Sequence, residues 1–222
     1  ADSVVELLAS RLVANTVENV FSTQLRTIGE SSMFALPPVT QALIIANCAI
    51  FFLDSSTGGS LSMLFALWPP GAQFMPWQVL TYAFLHGGLS HLAFNMFGLY
   101  MFGGDVERVW GSQRFLYFYL FCAVFAGITQ LVVTAASGGY YPTVGASGAI
   151  YGLLLAFARC FPNRMVMPIF PPIPMRAPIF VTVFGIIELV LGVTGTQAGV
   201  AHFAHLGGLA GAYLFMRFWR WR

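Results

Sequence analysis

Six stretches of 16 to 22 residues carry at most one charged side chain each: 38–53, 86–103, 115–136, 145–161, 177–194 and 200–218. A helix needs about 20 apolar residues to cross the hydrocarbon core of a bilayer, and one soluble globule of this size cannot hide six such stretches. Of the 222 residues, 58% are hydrophobic and 8% charged, against roughly 25% charged in an ordinary soluble domain. The mean hydropathy is +0.76. These values also exclude intrinsic disorder. A formal charge of +2 with no basic run argues against nucleic acid as a partner. The lipid bilayer is the expected environment.

The arginines set the expected topology. All ten basic residues are arginine. With six spans and a cytoplasmic N-terminus, the cytoplasmic segments hold Arg11 and Arg26, then Arg108 and Arg114, then Arg159, Arg164 and Arg176, then Arg217, Arg220 and Arg222. The outer segments 54–85, 137–144 and 195–199 hold none, in keeping with the positive-inside bias. Residues 61–85 are apolar as well, but Pro69, Pro70 and Pro76 interrupt them. A seventh crossing there would separate Arg11 and Arg26 from the other eight arginines. The stretch therefore reads as an interfacial loop with short helices, its Trp68 and Trp77 suited to headgroup level. The expected fold is all-α: a polytopic membrane protein, a six-transmembrane-helix bundle with an interfacial first outer loop and both termini cytoplasmic.

Three regions follow. Residues 1–36 hold six of the 18 charges, and Val13, Val17, Val20, Phe21 and Ile28 form an imperfect helical stripe. This segment is expected to be cytoplasmic, as an amphipathic helix or disordered chain. Residues 37–219 form the membrane domain and 220–222 a cytoplasmic tail. No cleavable signal peptide is evident, so the first apolar span is the expected targeting element. Cys48, Cys122 and Cys160 each lie in an apolar stretch, with neither disulfide nor zinc spacing.

Polar groups inside spans are costly and mark function by default. All four histidines fall at the outer side of this topology, His86 and His91 with span two and His202 and His205 with span six. In H-G-G-L-S-H-L-A-F-N, His91 and Asn95 share a helix face one turn apart, with His86 just ahead across Gly87-Gly88. In V-G-A-S-G-A-I-Y-G, Ser147 stands where an outer loop becomes span four. Its backbone N–H then belongs to a first helical turn, whose donors lack intrahelical partners and whose dipole favours negative charge. Such a serine can attack a carbonyl while neighbouring N–H groups hold the developing oxyanion. It needs a base, and His205 or His202 could serve. Small residues at Gly207, Gly208, Gly211 and Ala212, facing Gly148 and Gly152, would allow spans four and six to approach closely.

On these residues the sequence resembles the rhomboid family of intramembrane serine proteases. The resemblance covers roughly 37–219 and rests on H-G-G-L-S-H-L-A-F-N (86–95), G-A-S-G (145–148) and A-H-F-A-H-L-G-G (201–208). It implies the basic six-span bacterial type, with a Ser147–His205 dyad in which Ser147 is the nucleophile and His205 the general base and acid. His91, Asn95 and the Ser147 N–H would stabilise the oxyanion. Tyr151 matches the aromatic residue that packs on the imidazole, and Gly145 and Gly148 belong to the serine motif. His86 and His202 take supporting places, and Glu107 matches a structural acid at the inner end of span two. One departure is Trp77-Gln78, where many members have Trp-Arg, so anchoring of the first loop is expected to differ.

The implied activity is endopeptidase cleavage of transmembrane segments of other proteins near their outer end, through an acyl-enzyme. The resemblance implies a multi-pass protein of a bacterial inner membrane, its site opening outward. No metal or organic cofactor is called for. No Asp or Glu is expected near Ser147 and His205, so a dyad is expected rather than a Ser–His–Asp triad, the imidazole being oriented by packing. Glu188, mid-way along span five, is expected to be protonated or hydrogen-bonded inside the bundle. The segment 194–199 is expected to cap the site, with substrate entering between spans two and five. The alternatives are a catalytically inactive rhomboid-like binder of membrane clients, a metal or haem protein built on the four histidines, and a transporter. Both Ser147 and a candidate base are present, which favours the protease over the binder.

Overall fold

The computed structural model describes residues 35–71, 73–168, 172–195 and 200–219. The stripe expected within 1–36, most of the expected cap at 194–199 and the tail 220–222 lie outside them.

Among the described residues, six helices of 14 to 26 residues coincide with the six apolar stretches: α1 Pro38–Ser56, α4 Leu89–Trp110, α5 Ser112–Ser137, α6 Ser147–Cys160, α7 Ala177–Thr194 and α8 His202–Phe218. Two short helices, α2 Ser60–Phe65 and α3 Gln78–Thr81, occupy the first loop, and a 3₁₀ turn at Tyr82–Phe84 follows α3. Thus 61–85 is loop with short helical pieces, its prolines denying the continuous backbone ladder a crossing would need. A two-residue hairpin, β1 Met165–Val166 with β2 Met175–Arg176, closes the turn between α6 and α7. Three helices, α1, α5 and α7, are long and apolar enough to cross a membrane by that measure alone. The others are shorter or more polar because they supply the interior. In α6, nine of 14 residues are buried, and they include Leu153, Ala156 and Phe157. The chain is an integral membrane protein by its apolar helices.

The described arginines gather where the helices meet the inner side of the predicted topology. Arg108 ends α4, Arg159 ends α6 and Arg217 ends α8, while Arg176 precedes α7 and Arg114 lies in the first turn of α5. Cations in a last helical turn also complement the carboxyl end of the dipole.

Buried carboxylates tie the ends of α1. Its first turn has no side-chain cap of its own. Glu107 of α4 supplies one instead: Oε1 accepts from Val39 N–H at 3.0 Å and from the Ser112 hydroxyl at 2.6 Å, and Oε2 accepts from Thr40 N–H and hydroxyl, each at 2.7 Å. An anion at a helix N-terminus is favoured by both the free donors and the dipole. At the other end Asp54 accepts from the N–H groups of Leu61 and Ser62 at 2.9 and 3.0 Å, which fixes the start of the loop.

Gln78, 1% exposed, anchors the middle of the loop. Its Oε1 accepts from Trp68 N–H at 3.3 Å and Met75 N–H at 3.1 Å, and its Nε2 donates to the carbonyls of Leu64 and Gln73, both at 3.1 Å. A neutral amide, with acceptor and donors on one group, meets four backbone groups that a guanidinium, having donors only, could not. This is what the Gln in Trp77-Gln78 does.

Helix α8 packs against α5, α6 and α7. At Gly208 a Cβ would stand 1.8 Å from the Gly148 carbonyl oxygen, and at Gly152 it would stand 2.7 Å from Cys122 Sγ. Side chains there would push α6 away from α8 and from α5, which carries Cys122.

Candidate active site

The loop before α6 is held at both ends of its last turn. Leu67 and Thr143 exchange N–H···O bonds at 2.9 Å in each direction, and Gly145 N–H donates to the Tyr82 carbonyl at 3.0 Å. Tyr82 is itself fixed by its hydroxyl, which donates to the Ala123 carbonyl at 2.8 Å. Gly145 has φ +127°, where a side chain would be strained, and a Cβ there would stand 2.8 Å from the His91 ring. Glycine at this position lets the chain turn and lets His91 lie against it.

Ser147 is the first residue of α6, an end with no side-chain cap. Its Oγ lies 2.7 Å from Nε2 of His205, three residues into α8. The close approach of Gly148 and Gly208 sets this distance, since both helices carry their reactive residue within one turn or so of the contact. The Tyr151 ring, one turn further along α6, stacks on the His205 ring with centroids 4.4 Å apart and planes 9° apart.

A cavity of about 630 Å³ opens onto these groups. Ser147, His205, Tyr151, Gly145, Gly148, His91 and Asn95 all line it. Gly87 N–H approaches His91 Nδ1 at 3.4 Å, an arrangement that places the imidazole hydrogen on Nε2, which lies against Gly145. Asn95 Nδ2 donates to the His91 carbonyl at 2.8 Å, and the amide carries a second hydrogen to offer. The N–H groups of Ser147, Gly148 and Ala149 belong to the first turn of α6, where donors have no carbonyl of their own helix to meet. His91 and Asn95 thus share one cavity with the serine that opens α6. His86 and His202 do not line the cavity. His86 packs edge-on behind His91, with ring centroids 5.1 Å apart, and His202 lies behind His205.

One expectation is overturned. An acidic residue does lie beside the serine–histidine pair: Glu188 Oε2 is 2.9 Å from Nδ1 of His205 and 2.6 Å from Nδ1 of His202, and Oε1 accepts a short hydrogen bond from the Tyr151 hydroxyl. Counting by sequence puts Glu188 in the middle of its span and His205 near an end, which hides the match in depth. The axial rise resolves it. Glu188 lies six residues before the end of α7, about 9 Å, and His205 three residues after the start of α8, about 5 Å. Two side chains of ordinary length close what remains. The signal available in the sequence was the carboxylate itself, which a buried apolar helix tolerates only with partners.

Glu188, His202 and His205 also form a group able to hold a metal ion, with one ligand atom each and all three within 4.8 Å of one another. The spacing fits proton sharing better. Tetrahedral zinc with bonds of about 2.0–2.1 Å sets its ligand atoms about 3.3 Å apart, whereas Oε2 stands 2.6 and 2.9 Å from the two imidazole nitrogens.

Comparison with known proteins gives the family of the chain. Residues 73–222 match the family described as the Rhomboid domain. The chain is 34% identical over 184 residues to the rhomboid protease GluP of Bacillus subtilis (strain 168), covering 80% of this chain and 34% of that protein. It is 31% identical over 119 residues to the rhomboid protease GlpG of Klebsiella pneumoniae subsp. pneumoniae, covering 53% of this chain and 41% of that one. To the rhomboid protease GlpG of Yersinia pestis (strain Pestoides F) it is 28% identical over 185 residues, covering 82% and 62%. The chain therefore spans between one third and two thirds of the length of these relatives.

Proposed function

Since this chain belongs to the rhomboid family of intramembrane proteases, we propose that it is a serine endopeptidase that cleaves transmembrane segments of other membrane proteins near their outer end. The observation that carries the reading is the 2.7 Å approach of Ser147 Oγ to His205 Nε2 at the floor of a donor-lined cavity.

The substrate segment enters laterally between α4 and α7 and unwinds at its outer end, which exposes one peptide bond. Ser147 Oγ attacks the carbonyl carbon as its proton passes to His205 Nε2. The new oxyanion is held by His91, Asn95 and the Ser147 N–H. His205 Nε2 then gives its proton to the leaving amine, and the C–N bond breaks. Water, deprotonated by the same nitrogen, releases the acyl group and restores the serine. Non-helical backbone at this depth, such as 142–146, is tolerated because it lines a wet cavity. In the cell the protein sits in a bacterial inner membrane with both termini cytoplasmic, and the cavity faces outward.

The test uses detergent-solubilised protein, a panel of transmembrane substrates and a serine-directed fluorophosphonate probe, with Ser147→Ala alongside. Cleavage and labelling are both expected to vanish in the folded variant. Wild-type cleavage by Ser147→Ala would end the assignment.

A further inference from the structure

The carboxylate beside the catalytic pair has more than a structural place. Resting on the protease reading above, we infer that Glu188 is a positioning residue for the reaction, its carboxylate holding the His205 imidazole so that Nε2 faces Ser147, in a Ser147–His205–Glu188 relay where the family resemblance implies a dyad.

Three observations carry this. First, every polar contact of the carboxylate goes to the machinery: Oε1 to the Tyr151 hydroxyl and Oε2 to Nδ1 of His202 and Nδ1 of His205. A carboxylate kept only to stabilise the bundle would have no reason to select both the edge of the catalytic ring, at Nδ1, and the hydroxyl of the Tyr151 stacked on its face. Second, Glu188 is 7% exposed in a helix that is otherwise almost wholly apolar, so its cost demands partners, and its partners are these alone among the described hydrogen bonds. Third, the contact favours one tautomer. With a carboxylate oxygen at 2.9 Å, Nδ1 is the nitrogen that carries hydrogen, which leaves the Nε2 lone pair for the serine hydroxyl. The oxygen lies off the axis of the Nδ1–H bond. Such contacts commonly tighten only once substrate is bound.

The proton ledger is closed. One proton moves from Ser147 Oγ to His205 Nε2 and on to the leaving nitrogen. Nδ1 keeps its hydrogen throughout, and Glu188 stays a carboxylate that faces the imidazolium while it exists. His202 shares Oε2 and the Tyr151 hydroxyl holds Oε1, two further contacts that keep the carboxylate beside the ring.

The variants are Glu188→Gln and Glu188→Asp, each followed by kcat and KM on one transmembrane substrate, the rate of fluorophosphonate labelling, thermal unfolding in detergent and ¹⁵N-histidine spectra. Glu188→Gln is expected to lower kcat about 10²- to 10⁴-fold, the range for losing a correctly held base, with KM within about twofold. The Nδ1–H signature of His205 should give way to a mixed tautomer population. Glu188→Asp is expected to recover at least a tenfold part of the loss. A folded Glu188→Gln protein with kcat within threefold of wild type overturns the inference. So does a loss that merely follows unfolding while the tautomer stays unchanged. Should wild type neither cleave nor label, the protease reading fails by itself. The tautomer then decides the positioning claim alone: a change from wild type to Glu188→Gln sustains it, and identical spectra overturn it.

Discussion

The Gly148 carbonyl oxygen occupies the place a Cβ on Gly208 would need, 1.8 Å from that position, so α6 and α8 touch backbone to backbone one turn from the serine and histidine. Gly208→Ala must therefore displace one helix. It is expected to cost about 1–3 kcal/mol of stability, as overpacking does, and to abolish labelling of Ser147 even in the folded fraction. Gly185→Ala is the control, because its Cβ would meet only Leu209 Cδ1 at 3.4 Å. Unfolding curves and labelling rates on the two variants decide the matter, and normal labelling of Gly208→Ala would contradict it.

His91 and Asn95 line the same cavity as Ser147. If they hold the oxyanion, His91→Ala and Asn95→Ala should each lower kcat, by about 10²- to 10³-fold for a lost donor, while KM changes little. Steady-state kinetics on a single transmembrane substrate make the comparison. A raised KM with intact kcat would place these residues in substrate binding instead.

Glu107 clamps α1 from the opposite end of the molecule. Glu107→Ala strands two backbone N–H groups and two hydroxyls, and it is expected to destabilise the fold by about 2–4 kcal/mol. The labelling rate of the protein that remains folded should match wild type, since Ser147 and His205 belong to other helix ends. Slower labelling at unchanged folded fraction would show that α1 reaches the site.

In this chain Gln78→Arg is expected to be worse than neutral, although arginine is common at the equivalent place in the family resemblance. Arginine offers no acceptor to Trp68 N–H and Met75 N–H, and its charge would be buried. Proteolysis and hydrogen exchange across 64–78 should show a loosened loop. Unchanged protection would mean the loop is held elsewhere.

Chelation separates catalysis by serine from a metal at Glu188, His202 and His205. Turnover after exhaustive dialysis against chelator is expected to equal that before it, and added zinc is expected not to raise it. Loss of activity restored by metal would replace the serine mechanism.

Helix order and the pairing of Ser147 with a histidine were readable because both follow from short-range rules. Apolar stretches and arginine positions give the helices, and glycines at spacing four give the contact of α6 with α8. That Glu188 needs hydrogen-bond partners was readable, but not that they are Tyr151 and the histidines of α8, because depth depends on helix lengths that the sequence blurs. α6 spans only 14 residues, about 21 Å, while α5 spans 26, about 39 Å. A midpoint in one helix is thus not level with a midpoint in another. The job of Gln78 was equally hidden, since its four partners are backbone groups, which any sequence supplies.

That amide has one more implication. Ionic fastenings weaken when acid neutralises them or salt screens them, but the fastening at Gln78 is uncharged and almost sealed from solvent. The first loop it secures therefore keeps its hold across changes of pH and salt that would loosen an ion pair.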